Sequence, residues 1–132
     1  MPDLDASVTV KNAMLDAVEV AIGTAPVMKI RTGSAPGITA ADSGTVLASL
    51  TLPSDWMAAA ASGSKALTGT WQDLTADAAG TAGHFRIYAS NGTTQHLEGS
   101  CTVSGGGGHL ILNTLTIDVG ELFSVEIFTL NP

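Results

Sequence analysis

The chain carries one cysteine, Cys101, in 132 residues, which excludes an intrachain disulfide and any fold stapled by bridges. Cations are also scarce. Five Lys and Arg stand against 12 Asp and Glu, and the resulting charge of −7 argues against direct contact with nucleic acid or an anionic membrane, both of which need clustered cations. No apolar run reaches the ~20 residues of a helical membrane span. The opening MPDLDASVTV lacks a basic stretch followed by an apolar one, so no secretory signal is expected, and a bridge-free domain fits a reducing cytoplasm. Charged residues make up 13%, about half the usual quarter. With a mean hydropathy of +0.31, the composition implies that part of the surface is covered by partners.

What is present points to a single β-rich domain spanning residues 1–132, long enough to bury its own core. Residues 8–22, VTVKNAMLDAVEVAI, space Met14, Leu15, Val18, Ala21 and Ile22 as one helical face, with Ser7 or Thr9 as the cap and Gly23 as the stop. Residues 27–31 alternate, with Met28 and Ile30 inward, and a turn-rich loop follows over 32–44. Another strand, 45–52, ends at Pro53 and aligns Val46, Ala48, Leu50 and Leu52. Ala58 to Ala61 reads as a short helix or an extended arm, Lys65 to Trp71 as a strand, and 72–83 as a second long loop.

Gly83 to Leu112 reads as two consecutive hairpins. A three-residue loop at Ser90-Asn91-Gly92 pairs Phe85 with Leu97, and places Arg86 opposite His96 and His84 opposite Glu98 in a solvated outer ladder. A second loop at Gly105 to Gly108 pairs Val103 with Leu110 and Cys101 with Leu112. The final segment, 122–130, alternates with apolar residues on both faces, as a central strand or an intersubunit contact does. The count of about seven or eight strands, with turns every ~8–12 residues, predicts a mainly β fold, a jelly-roll-like antiparallel β-sandwich with one N-terminal amphipathic helix.

Chemistry is thin. His84, His96 and Glu98 share a face in that register, superficially a two-imidazole, one-carboxylate iron site, but Arg86 would repel a cation there and no metal or other cofactor is expected. Cys101 points inward with Leu97 and Val103, where a thiol is a small hydrophobe rather than a nucleophile. The glycine tract 105–108 has no Lys-Ser/Thr and precedes no helix, so it is not a phosphate loop, and the aspartates have no EF-hand spacing. Trp56, Trp71 and Tyr88 either plug the core or form a sugar-stacking platform, and a glycan-binding module follows from the second option. No enzymatic activity is expected.

The stretches KNAMLDAVEVAIGTAPVMKIRTGSAPG, TLPSDWM and GTAGHFRIYASNGTTQHLEGS together resemble small structural proteins of tailed bacteriophages. The resemblance covers most of the chain, and within that group a compact acidic β domain is most similar to the head decoration or cement class. It implies a jelly roll bound to the outside of the virion capsid, made in the host cytoplasm, whose partners are the major capsid protein and other copies of itself. A tail or baseplate component is the alternative. The expected contact segments are the N-terminus, the 32–44 loop and the last strand, with Met1, Pro2, Leu4, Ile38, Leu122, Phe128 and Leu130 as contact residues.

Overall fold

A computed structural model of the chain describes residues 5–103, 105–107, 110–112, 114–125 and 127–130. The helix α1, Val8–Ile22, has the expected limits. Ser7 Oγ accepts the Val10 N–H, and Gly23, at φ 92°, donates its N–H to the Glu19 carbonyl. Its docked side is narrower than the periodicity predicts. Leu15 and Ile22 are buried and Val18 partly so, whereas Met14 and Ala21 are exposed.

Ten strands follow among the described residues: β1 Val27–Thr32, β2 Val46–Thr51, β3 Lys65–Ala66, β4 Gln72–Asp73, β5 Gly80–Tyr88, β6 Gln95–Val103, β7 Leu110–Leu112, β8 Thr116–Ile117, β9 Phe123–Ser124 and β10 Ile127–Leu130. Eight of them form one mixed sheet in the order β2-β1-β5-β6-β7-β10-β3, with β8 on β5, and β4 pairs with β9 in a small second sheet. The fold is therefore mainly β with one N-terminal helix. In a flat sheet β5 and β10, three places apart, would lie about 14 Å from each other. Their Phe85 and Phe128 rings instead meet edge-on with centroids 5.5 Å apart, so the sheet coils over its own core. Trp71 lies 5.3 Å from Phe128 and 5.9 Å from Trp56, extending this aromatic column through one contiguous hydrophobic cluster.

Several local expectations are corrected. The first hairpin closes with a four-residue loop, Ala89 N–H to Thr94 carbonyl. Asn91 Oδ1 accepts the N–H groups of Thr93 and Thr94, and Gly92 takes φ 74°. His96 is then an extra, bulged residue between the Tyr88–Gln95 and Ile87–Leu97 pairs. The register is thus two residues from the expected one: Arg86 lies opposite Glu98, and His84 opposite Ser100. A shift of two leaves every side chain on its face, so alternation could not detect it. Strands β6 and β7 are parallel, Cys101 beside Leu110 and Val103 beside Leu112, rather than a hairpin. The apolar parity of these four residues satisfies both directions equally.

Residues 58–61 form no helix. They lie in an extended arm turned by Ser62 and Gly63, both at positive φ, which closes the Ala61–Ser64 bridge. The 65–71 strand shortens to β3, and the expected loop over 72–83 contains β4 and the start of β5. The last segment divides between the two sheets. As a result Phe123, Val125 and Phe128 are buried while Ile127 is exposed. Phe128→Ala should lose about 3–5 kcal/mol of unfolding free energy, and Ile127→Ala less than about 1 kcal/mol. Urea denaturation with an unchanged m-value measures both, and equal losses would contradict this core.

Candidate interaction surface

The outer face of the β1-β5-β6 sheet is not solvated, contrary to the ladder expectation. Arg86 and His84 are fully buried there, because residues 33–44 cross the face as a strap. Arg86 organises the crossing. Its Nε donates to Glu98 Oε1 at 2.9 Å, its Nη1 to Asp42 Oδ1 at 2.8 Å, and its Nη2 to the carbonyls of Gly37 at 2.7 Å and Ala40 at 3.0 Å. Glu98 Oε2 accepts the Gly37 N–H, and Gln95 Nε2 donates to the Ile38 and Ala40 carbonyls. Asp42 also receives the Tyr88 hydroxyl at 2.7 Å and pairs with Arg31 at 3.2 Å. His84 Nδ1 donates to the Gly33 carbonyl at 2.9 Å. The backbone comes close enough at this point that a Cβ on Gly83 would overlap Gly33.

Two guanidiniums, Arg31 and Arg86, meet two carboxylates, Asp42 and Glu98, so the cluster is neutral. Burial works against the Arg86 charge, but Glu98 and Asp42 outweigh it and raise its pKa. The Tyr88 hydrogen bond, with Arg31 and Arg86 adding to it against partial burial, holds the Asp42 carboxyl below the usual carboxylate range. Burial, followed by the Asp42 carboxylate, pushes the Tyr88 phenol up. The groups that looked most chemical in sequence therefore clamp the strap.

A second buried cation anchors the helix. Lys65 Nζ is bonded to Asp16 at 2.7 Å, Glu19 at 2.8 Å and the Ala58 carbonyl at 2.9 Å, which occupies all three of its N–H groups. Burial opposes its charge, and the two carboxylates more than compensate, raising its pKa. Asn12 and Asp16 accept the N–H groups of Gly63 and Ala60, so α1 holds the arm through polar side chains. Beside this anchor lies an open cleft of ≈ 560 Å³ lined by Asp16, Glu19, Thr24, Asp55, Met57 and Lys65. The Lys65 ammonium there is already saturated by Asp16, Glu19 and the Ala58 carbonyl.

The His84, His96 and Glu98 set does not assemble, since Glu98 is taken by Arg86 and His96 sits on the bulge. Among the described residues no group of three His, Cys, Asp or Glu is placed to hold a metal. Cys101 is buried, and burial pushes its thiol up to about 12. Trp56, Trp71 and Tyr88 are buried, which removes the platform for sugar stacking. Both indole N–H groups are satisfied internally, Trp56 by the Gly23 carbonyl and Trp71 by the Trp56 and Thr68 carbonyls.

Several large apolar side chains are exposed. Val8, Val10, Met14 and Val20 project from α1. At the small sheet, the Asp73–Phe123 pairing sets exposed Leu74 beside exposed Leu122, and Ala76, which donates its N–H to the Glu121 carbonyl and accepts the Gly120 N–H, brings Val119 to the same end. Of the expected contact residues, Ile38 and Leu122 are exposed, Leu130 is half-buried against the core, and Phe128 lies inside it, out of reach of any partner. Met1, Pro2 and Leu4 lie outside the described residues. Sequence reasoning missed the strap clamp and the inverted helix; the run Ala13, Met14, Ala17, Val20 and Ala21, with no charge among them, was the signal for the latter. Comparisons with protein-family models, curated proteins and solved structures find no match to this chain.

Removing one partner from the clamp tests it. Arg86→Met leaves Glu98 buried without its counter-charge and should cost about 3–5 kcal/mol of stability. The depressed Asp42 pKa stabilises the fold above the ordinary aspartate value of about 3.9, and this contribution is lost as pH falls through the lower folded-state value. Asp42→Asn should therefore be less stable than wild type at pH 7, with the gap closing from about pH 4 downward. Thermal melts between pH 2 and 7 measure it, and a gap that does not depend on pH would count against the clamp.

Proposed function

We propose that this protein is a non-enzymatic structural component of a tailed-phage virion, a decoration or cement protein that binds the outside of the capsid and bridges major capsid subunits. The observation that carries this reading is an inversion of charge and grease. Three of the five cations, Arg31, Lys65 and Arg86, are buried against carboxylates of the same chain, while valines, leucines and isoleucines from α1, the strap, the small-sheet end, β6 and β10 stand in solvent. A surface built this way adheres by apolar contact and shape. The clamped strap suits the role, because a rigid loop loses little entropy when it docks. It presents Ile38 on a segment fastened to the sheet at Gly33, Gly37, Ala40 and Asp42.

Electron microscopy of particles produced with an epitope-labelled copy tests the proposal directly. Gold label distributed over the heads is the expected result. Label confined to the tail would move the protein to the tail or baseplate, and particles free of label would overturn the reading.

A further inference from the structure

One dipeptide at the tip of the β5-β6 hairpin carries a chemistry of its own. Of the four asparagines in the chain, only Asn91 precedes a glycine. An asparagine in that setting is open to attack by the main-chain nitrogen of the next residue, because glycine has no Cβ to hinder the approach. In that step the Gly92 nitrogen gives its proton to a base in solvent and bonds to Asn91 Cγ, the Cγ–Nδ2 bond breaks, and Nδ2 leaves as ammonia. One water then opens the cyclic imide at either carbonyl, giving aspartate or its β-linked isomer. Asn91 is exposed, so water reaches it. We propose that Asn91 is a site of spontaneous deamidation that the folded hairpin latches shut and that reacts when the tip opens.

The latch has two parts. The first is the main chain. Gly92 donates its N–H to the Ala89 carbonyl at 2.9 Å, and Asn91 is not among the non-glycine residues at positive φ, which makes it the third residue of a type I turn. Such a residue has ψ of roughly 0°, whereas the five-membered imide ring needs the Gly92 nitrogen to eclipse Asn91 Cβ. Reaching that geometry swings Gly92 out of the turn, away from Ala89, and displaces a carbonyl that Lys29 Nζ holds at 3.1 Å. The second part is the carboxamide. Its Oδ1 accepts the N–H groups of Thr93 at 2.9 Å and Thr94 at 3.0 Å, and its Nδ2 donates to Thr94 Oγ1 at 2.9 Å. Ring closure also demands an eclipsed χ1, which pulls the amide off these partners. Two N–H donors on Oδ1 favour the negative charge that attack develops there, but they act only on a carboxamide the nucleophile reaches, and the turn keeps the two apart. The loop concerned is the one whose length sets the His96 bulge and the Arg86–Glu98 register, and the β-linked product adds one main-chain carbon to it.

This chemistry does not depend on the virion role. Peptide mapping of the full chain tests it, by the mass gained when –NH2 is exchanged for –OH. At one pH and temperature, Asn91 should deamidate readily in chains unfolded in guanidinium chloride. In the folded chain it should react roughly tenfold more slowly or less, the factor being set by how rarely the tip opens. Thr94→Ala removes the acceptor of Nδ2 and should speed the reaction of the folded chain roughly threefold. Thr94→Ser, which keeps a hydroxyl, should react at the wild-type rate. Thr94 is exposed, so the melting temperature of either variant should barely change, which separates opening of the tip from unfolding of the whole chain. An unfolded chain that keeps its Asn91 amide would overturn the site. Equal rates in folded and unfolded chains, or a Thr94→Ala chain no faster than wild type, would overturn the latch.

Discussion

A guanidinium buried on the outer face of the central strand obliges the chain to bring acceptors to it, and much of the architecture satisfies that demand. Arg86 is surrounded by Glu98 from β6, Asp42, and the Gly37 and Ala40 carbonyls of the strap. Leaving such a charge unpaired would be costly, and the strap is fastened by the bonds it makes to that charge, so strap and cation are mutually dependent. The same interaction sets the hairpin. The β5-β6 register that offers Glu98 to Arg86 is the one reached through the four-residue loop and the His96 bulge. Arg31 and Tyr88 complete a neutral layer between sheet and strap.

The helix applies the same solution a second time. Lys65 gathers Asp16, Glu19 and the Ala58 carbonyl, drawing the polar side of α1 down onto the arm. Leu15 and Ile22 add the buried apolar contacts. Because the charged side chains are consumed in this way, the alanines and valines opposite them are left in solvent. Internal ion pairing and the apolar outer side of α1 are therefore two results of one distribution of charge, in a chain with few charges to distribute.

How far the pattern was legible depended on what each signal encodes. The limits of α1 and the inward placement of Met28, Ile30 and Cys101 follow from capping and alternation, and both are local. Alternation has period two, so it was blind to the two-residue displacement of β5 on β6 and to the parallel sense of β6 and β7. Phe128 was misplaced for a related reason: the change of sheet between β9 and β10 reverses which side of the chain faces the core, and nothing local announces it. His84, Arg86 and Glu98 looked like a solvated ladder because the strap that covers them is some fifty residues away in sequence.

By itself the sequence determined the mainly β class, the helix and its ends, the absence of an intrachain disulfide, and a composition poor in charge, all properties of short windows or of totals. Only the tertiary structure decided that Arg31, Lys65 and Arg86 lie inside and Val8, Val10 and Val20 of α1 outside, because pairing between residues distant in the chain selects which face of each element is buried.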